Sequence, residues 1–381
     1  MKSSFWKAGH MPTLLSAFLY FDLSFMVWVL LGPLAVQIAT DLSLTSAQKG
    51  LMVATPVLAG ALLRIVMGVL VDQIKPKNAG TIGQMIVIAS LLTAWLHGLQ
   101  TFQHTLLLGI GLGFAGAAFA VALPLASRWY PPEHQGTALG IAGAGNSGTV
   151  FAALFAPSLA VAYGWDNVFG LALIPLGFAL AIYLIFAKDS PDTPPAKSLS
   201  QYMAILKDKD AWWFMFFYSV TFGGFVGLAS SLTIYFNDLY ALGAVNTGYC
   251  TAACVFAGSL NRPIGGLIAD RIGGIFTLLV MYTIAAGLLF VMSFGQPTYL
   301  LALAIIIPVM AVLGMGNGAV FQLVPQRFRK DIGVMTGLVG MAGGIGGFYL
   351  AASLGYFKQS TGSYQTGLMI FAGLAVLQLL A

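Results

Sequence analysis

The stretch LMVATPVLAGALLRIVMGVLVD, residues 51–72, is an apolar run broken by one arginine, Arg64, eight residues ahead of Asp72 with Gly68 between them. The stretch TAACVFAGSLNRPIGGLIAD, residues 251–270, repeats the frame: Arg262 stands eight residues ahead of Asp270, with Gly266 between. Each run has the length, about 20 residues, that crosses a bilayer as a helix. Guanidinium stays protonated at any relevant pH, so each run carries a permanent charge inside hydrocarbon. Such a group is costly and marks a functional site by default. Two of them at one depth, in two halves of one chain, point to a receptor for an anion.

The same apolar texture extends over the whole chain. Of 381 residues, 59% are hydrophobic and only 8% charged, and the mean hydropathy is +0.88. A soluble domain of this composition would lack the polar surface to stay in solution, so the chain reads as an all-α membrane protein. Twelve spans fit, at about 12–37, 47–71, 79–99, 104–127, 136–162, 166–187, 211–238, 247–269, 274–294, 298–324, 332–356 and 365–381. The last meets the final residue, which predicts that the natural chain continues a little further. The first span is full-length and holds Asp22, unlike the short core of a cleaved signal peptide.

Charge placement predicts orientation. Of 17 Lys and Arg, two are the intramembrane arginines, thirteen fall at the N-terminus or in alternate loops, and only Lys49 and Lys358 fall on the other side. The bias puts both termini and the 188–209 loop in the cytoplasm, beneath a plasma membrane such as the bacterial inner membrane. A pI near 9.1 therefore reports topology rather than nucleic-acid binding. Cys250 and Cys254 are four apart inside a span, a helical spacing that suits small packing residues better than a metal or redox pair.

The longest polar stretch, Lys188 to Asp210, is rich in Pro, Ser and Lys and separates six spans from six. It divides the chain into bundles at 1–187 and 211–381 with a cytoplasmic linker at 188–210. The Arg–Gly–Asp frames are offset by 198 residues, and Gly136, Gly140 and Gly143 answer Gly333, Gly337 and Gly340 at an offset of 197. An internal duplication accounts for both. Parallel halves of six spans around a midplane site are the architecture of the major facilitator superfamily. Gly68-x-x-x-Asp72 and Gly266-x-x-x-Asp270-Arg271 resemble its loop motif after spans 2 and 8, although Lys75-Pro76-Lys77 departs from it where Gly-Arg-Lys is usual. Asp72, Asp270 and Arg271, charges at helix ends, are expected to lock and release the cytoplasmic face.

Depth gathers the polar groups. At about 1.5 Å per residue, Arg64 and Arg262 lie about 12 Å inside, near the midplane. Asp22, Asn146, Tyr218, Phe222, Phe119 and Gly343 fall on the same layer. The runs Gly143-x-Gly145-Asn146-Ser147-Gly148 and Gly340-x-x-Gly343-Gly344-x-Gly346-Gly347 leave helix faces without side chains, where helices approach closely and backbone is open to a small ligand.

These residues resemble the nitrate/nitrite porters of that superfamily over essentially the whole chain. The likeness is carried by Phe21-Asp22-Leu23-Ser24-Phe25-Met26-Val27-Trp28, by Ala54-Thr55-Pro56 leading to Arg64, and by Ala144-Gly145-Asn146-Ser147-Gly148 with Ala156-Pro157. Tyr218 to Phe222, Gly258-Ser259 to Arg262-Pro263, Gly316-Asn317-Gly318-Ala319-Val320-Phe321-Gln322 and the span-11 glycine run complete it. The resemblance implies that Arg64 and Arg262 grip the anion, that Asn146 and Tyr218 help to hold it, and that Phe119 and Phe222 sandwich its plane. The physics agrees: a guanidinium fork matches the oxygens of a small flat monovalent anion two at a time. Glu133 is the only glutamate and no G-x-x-x-x-G-K-[ST] run occurs, so no cofactor or nucleotide is expected and energy must come from an ion gradient or a counter-anion.

Asp22 divides the coupling modes. His10, His97, His104 and His134 lie near span ends or in loops, which leaves Asp22 as the titratable acid of the layer. It either couples proton entry to nitrate entry, or stays paired with an arginine or caps a helix turn. The expected protein is a monomeric carrier, by proton symport or by nitrate/nitrite exchange. The alternatives are a carrier of another anion, such as a small carboxylate or phosphate, and an anion sensor, for which the linker is short. No nucleophile–base pair supports an enzyme.

Overall fold

The structure is a computed structural model that describes residues 5–191, 199–328 and 332–380. Pro194, Pro195, Lys197 and Ser198 of the predicted linker lie outside the described residues, as do Lys2, Arg329 and Lys330. The described residues form helices and connecting turns, without a strand. Eleven helices are long and apolar enough to cross a bilayer. They are α1 (Met11–Asp41), α2 (Ser46–Ile74), α3 (Pro76–His97), α4 (Phe102–Ser127), α5 (Ala138–Tyr163), α6 (Trp165–Phe186), α7 (Lys209–Tyr240), α8 (Ala244–Ile272), α9 (Gly274–Ser293), α10 (Tyr299–Arg327) and α11 (Gly333–Thr361). The twelfth, α12 (Gln365–Leu380), is a shorter apolar helix.

Local chemistry sets the boundaries. Thr45 opens α2 with a capping box: its hydroxyl accepts from the Gln48 amide at 3.3 Å while Gln48 Oε1 accepts from the Thr45 amide at 2.9 Å. Thr101 and Thr298 cap α4 and α10 with the hydroxyl alone, accepting from the His104 and Leu301 amides. One residue separates α2 from α3 and one separates α8 from α9, and both carry positive φ: Gly273 at 91° and Lys75 at 71°. Glycine adopts that backbone freely and lysine does not. The departure from the loop motif therefore places a strained side chain at a tight reversal.

Three helices are interrupted, α4 among them at Ala117, next to the Gly116 carbonyl that accepts from Arg64. α1 is broken at Val29–Leu30. In α5, Ala144–Ser147 tightens into a 3-10 turn before the α-helix resumes at Gly148. The interruption of α5 falls in a glycine run that the sequence reads as a helix face bare of side chains.

The halves α1–α6 and α7–α12 meet mainly where α2 packs on α11, α5 on α8 and α1 on α7. The contact between α2 and α11 is close at one end and absent at the other. Along one face of α11, a Cβ at Gly355 would fall 2.8 Å from the Gly50 Cα, one at Gly344 would fall 2.5 Å from the Ala61 Cβ, and one at Gly340 would fall 3.1 Å from Arg64 Nη1. Gly337 and Gly333 continue that face and meet nothing within 4 Å. On the other side of the molecule, a Cβ at Gly248 of α8 would press the Ala153 carbonyl of α5 at 2.7 Å, Gly143 only grazes Arg262 Nη2 at 4.0 Å, and Gly140 meets nothing. The halves are thus sealed on the face remote from the termini and part toward the face where α1 begins and α11 starts. The parting reaches the level of the two arginines.

Candidate anion site

Arg64 is carried by α2 into the seam between the halves and is only 1% exposed. Its Nε donates to the Gly116 carbonyl of α4 at 3.3 Å, and its Nη1 donates to the Gly340 carbonyl of α11 in the opposite half. Nη2 is buried without a partner. Arg262, half-buried on α8, reaches the other way, toward Gly143 of α5, and its Nη1 is likewise buried and unpartnered. Each arginine therefore crosses to the glycine helix of the other half, and the two crossings are related by the repeat offsets of the sequence. Among the described residues, no carboxylate pairs with either guanidinium.

Aromatic rings wall the arginines. The Arg64 guanidinium carbon lies 5.1 Å from the Phe119 ring, 5.1 Å from Phe222 and 5.6 Å from Trp28. Arg262 lies 5.5 Å from Phe321. Tyr218 stacks on Phe222 at 5.0 Å and meets Phe321 edge-on at 5.0 Å, and Phe321 touches Phe119 at 5.7 Å. One chain of rings thus joins the two cations, and cation–π attraction offsets part of the cost of dehydrating them. Phe119 and Phe222, expected on the faces of the anion, here approach Arg64 itself. Gly343, expected among the anion contacts, lies behind the rings: a Cβ there would fall 2.5 Å from Tyr218 and 2.9 Å from Phe222.

Polar atoms converge without satisfying one another. Asn146, in the 3-10 turn of α5, is 1% exposed, and neither atom of its amide has a partner. The Tyr218 hydroxyl is fully buried beside both guanidiniums and makes no well-formed hydrogen bond. Buried donors left open at one level are groups of the kind that an anion satisfies.

Asp22 belongs to a different arrangement from either arginine pairing or an open titrating group. Its Oδ1 accepts from the Ser147 hydroxyl at 2.7 Å, and the Gly148 backbone amide also points to it. It therefore sits on the N-terminus of the resumed α5 helix, the position that favours negative charge. Asp72 pairs with Arg128 of α4 at 2.9 Å, within its own half. Asp270 and Arg271 are exposed and join no ion pair among the described residues.

Trp28 and Phe321 escaped the sequence reading as site residues, although both stand inside the motifs that carried the resemblance. Their sequence signal was membership of those motifs, which does not say which way a ring faces.

The profile of the Major Facilitator Superfamily matches residues 15–351. The chain belongs to this superfamily. Within it, the nitrate/nitrite porters are its relatives. "Probable nitrate/nitrite transporter NarK2" of Mycobacterium tuberculosis is 31% identical over 360 residues, covering 93% of this chain and 91% of the relative. "Nitrite extrusion protein" of Bacillus subtilis is 31% identical, with 92% and 88% covered. "Probable nitrate/nitrite antiporter NarK1" of Thermus thermophilus is 30% identical, with 95% and 88% covered. Solved structures share the fold at low identity. A D-xylose-proton symporter superposes with a TM-score of 0.78 at 14% identity, covering 97% of this chain and 96% of the other. A bacterial homolog of the human lysosomal transporter Spinster, in an inward-facing and occupied conformation, gives 0.68 at 18%, covering 98% and 95%. The superfamily and these relatives mark the chain as a membrane transporter and not an enzyme.

Proposed function

We propose that the protein carries nitrate, and nitrite with it, across the plasma membrane by alternating access, with the anion held between Arg64 and Arg262. One observation carries the reading: a buried and a half-buried guanidinium reach toward the opposite half at one level, each with an N–H group open and neither neutralised by a carboxylate among the described residues. A flat monovalent anion supplies the missing charge and takes those donors in pairs. Asn146 and Tyr218 add donors, Phe119, Phe222, Trp28 and Phe321 exclude water, and Gly343 gives the rings room.

The moving units are residues 1–187 and 211–381, joined by the linker 188–210, and the parted face is cytoplasmic, with both termini on it. Closure there brings Asp72, Asp270 and Arg271 toward the opposite half. The protein works as a monomer. Uptake is coupled to protons through Asp22, whose hold on the Ser147 hydroxyl and the helix N-terminus weakens when it is protonated. Exchange of nitrate for nitrite is the second reading, favoured by the helix N-terminus that holds Asp22 charged and by the relative named as an antiporter.

Nitrate counterflow in proteoliposomes tests the whole. Arg64→Lys and Arg262→Lys should each abolish it while the purified protein stays folded, because an ammonium lacks the planar fork. Retained counterflow in either variant overturns the site. Lumenal acidification during uptake, absent in Asp22→Asn, marks proton coupling; uptake without acidification but requiring lumenal nitrite marks exchange.

A further inference from the structure

Asn317 stands in the middle of α10, completely buried, and neither atom of its amide has a hydrogen-bond partner. The phase of the helix fixes its bearing. Gly314 and Gly318 press on α8: a Cβ at Gly314 would lie 1.9 Å from the Gly258 carbonyl oxygen, and one at Gly318 would lie 2.1 Å from that of Arg262. Gly316 turns to α7, where a Cβ would lie 2.4 Å from Thr221. Asn317 lies between these two bearings, on the stripe that also carries Phe321 four residues on. Phe321 is the ring that meets both Arg262 and Tyr218. The amide therefore belongs to the wall of the arginine layer, one turn nearer the sealed face.

The two halves are built differently at this point. α4 packs on α2 through Gly113, where a Cβ would lie 2.9 Å from the Gly60 amide nitrogen, as α10 packs on α8 through Gly314. Three residues beyond Gly113 is Gly116, whose carbonyl accepts from Arg64 Nε and whose missing side chain makes room for the Trp28 indole. Three residues beyond Gly314 is Asn317. Where one half seats its arginine on a carbonyl under an indole, the other offers a side-chain amide on the stripe of the ring that meets Arg262, whose Nη1 is open. A buried amide without partners is costly to keep, and the economical explanation is a polar guest.

We infer that Asn317 is a further contact for the anion and sets its preference for nitrate over nitrite, Nδ2 donating to the third oxygen, which nitrite lacks. The inference rests on the reading of Arg64 and Arg262 as the anion site. With two oxygens taken by the arginine forks, a donor from the sealed side meets the remaining one. Oδ1 is then turned away from the anion.

The test uses the full chain in proteoliposomes loaded with nitrate. Counterflow of labelled nitrate is competed with unlabelled nitrate and with nitrite, in the parent, Asn317→Ala, the similarly sized Asn317→Leu, and Arg64→Lys. The expected result is a KM for nitrate raised about tenfold in both Asn317 variants, the scale of one hydrogen bond to an ion. Half-inhibition by nitrite, referred to the new KM, should move by less than about twofold. Equal loss for the two anions, no loss for either, or a fall in kcat alone overturns the inference. Should Asn317→Ala fail to fold, Asn317→Leu decides alone. Arg64→Lys separates the two levels: if it still transports, the site reading fails first; if it is dead while Asn317 variants are indifferent between anions, only the present inference fails.

Discussion

At the scale of the residue, Arg64 shows how a permanent charge is made tolerable in hydrocarbon. Two of its donors are given to backbone carbonyls, rings cover its faces, and one nitrogen is kept open. Gly340 is the sensitive neighbour, because its carbonyl takes Nη1 and a Cβ there would fall 3.1 Å from that nitrogen and 3.5 Å from Phe119. Gly340→Ala should therefore leave folding intact, since the obstructed atom is the end of a flexible side chain. It should raise KM for nitrate about tenfold by tilting the fork, measured by uptake in proteoliposomes. The paired arginines were legible in the sequence because charge inside an apolar run is rare enough to stand alone. Asn146 and Tyr218 were legible by depth and motif. Trp28 and Phe321 were not, since in a chain with 13% aromatics nothing in the sequence says which rings turn inward. Nor was the bearing of Asp22 on Ser147, a contact across 125 residues that depends on where α5 breaks.

At the scale of the element, the informative features are the places where regular helix fails. The glycine repeat was visible, but its meaning was only half visible. Gly143 and Gly340 match by offset, and the structure adds that the Gly340 carbonyl accepts from Arg64 while Gly143 only faces Arg262. The 3-10 turn at Ala144–Ser147 was hidden, because Gly-Asn-Ser disfavours helix without saying where a buried helix will yield to tertiary contacts. Lys75 is the clearest element-level liability. At φ 71° and ψ 154° it occupies a region open essentially to glycine, with a cost of about 1–3 kcal/mol. Lys75→Gly should raise the apparent Tm of the detergent-solubilised protein, with counterflow unchanged; a lower Tm would mean that the lysine side chain contributes more than its backbone costs.

At the scale of the molecule, polar contacts are distributed unequally between the two faces. On the sealed face they cross from one half to the other: Lys49 Nζ meets Asp238 Oδ1 at 3.3 Å, and the Ala47 amide donates to Gln359 Oε1 at 3.0 Å. Tyr364 braces the same aspartate at 2.7 Å. On the face of the termini, the ion pairs among the described residues do not join the two halves: Asp72 pairs with Arg128, and Arg327 with Asp208 and Asp210 at the end of the linker. The inter-half bonds of the sealed face must be broken for that face to open, so they weight the equilibrium toward the state seen here. Lys49 and Asp238 are partly shielded from solvent, which places their attraction at the upper end of exposed pairs, about 1 kcal/mol, or roughly a fivefold shift in population. Lys49→Ala should therefore favour the opposite state, and the exchange Lys49→Asp with Asp238→Lys should restore the original balance. A cysteine introduced at Gly337, which lines the parted face, reports this through its labelling rate with a thiol reagent; Cys250 and Cys254 are buried and give little background. Labelling should slow severalfold in Lys49→Ala and recover in the exchanged pair. An unchanged rate in Lys49→Ala would mean that the glycine-lined packing of α2 on α11, and not the ion pair, holds the sealed face shut.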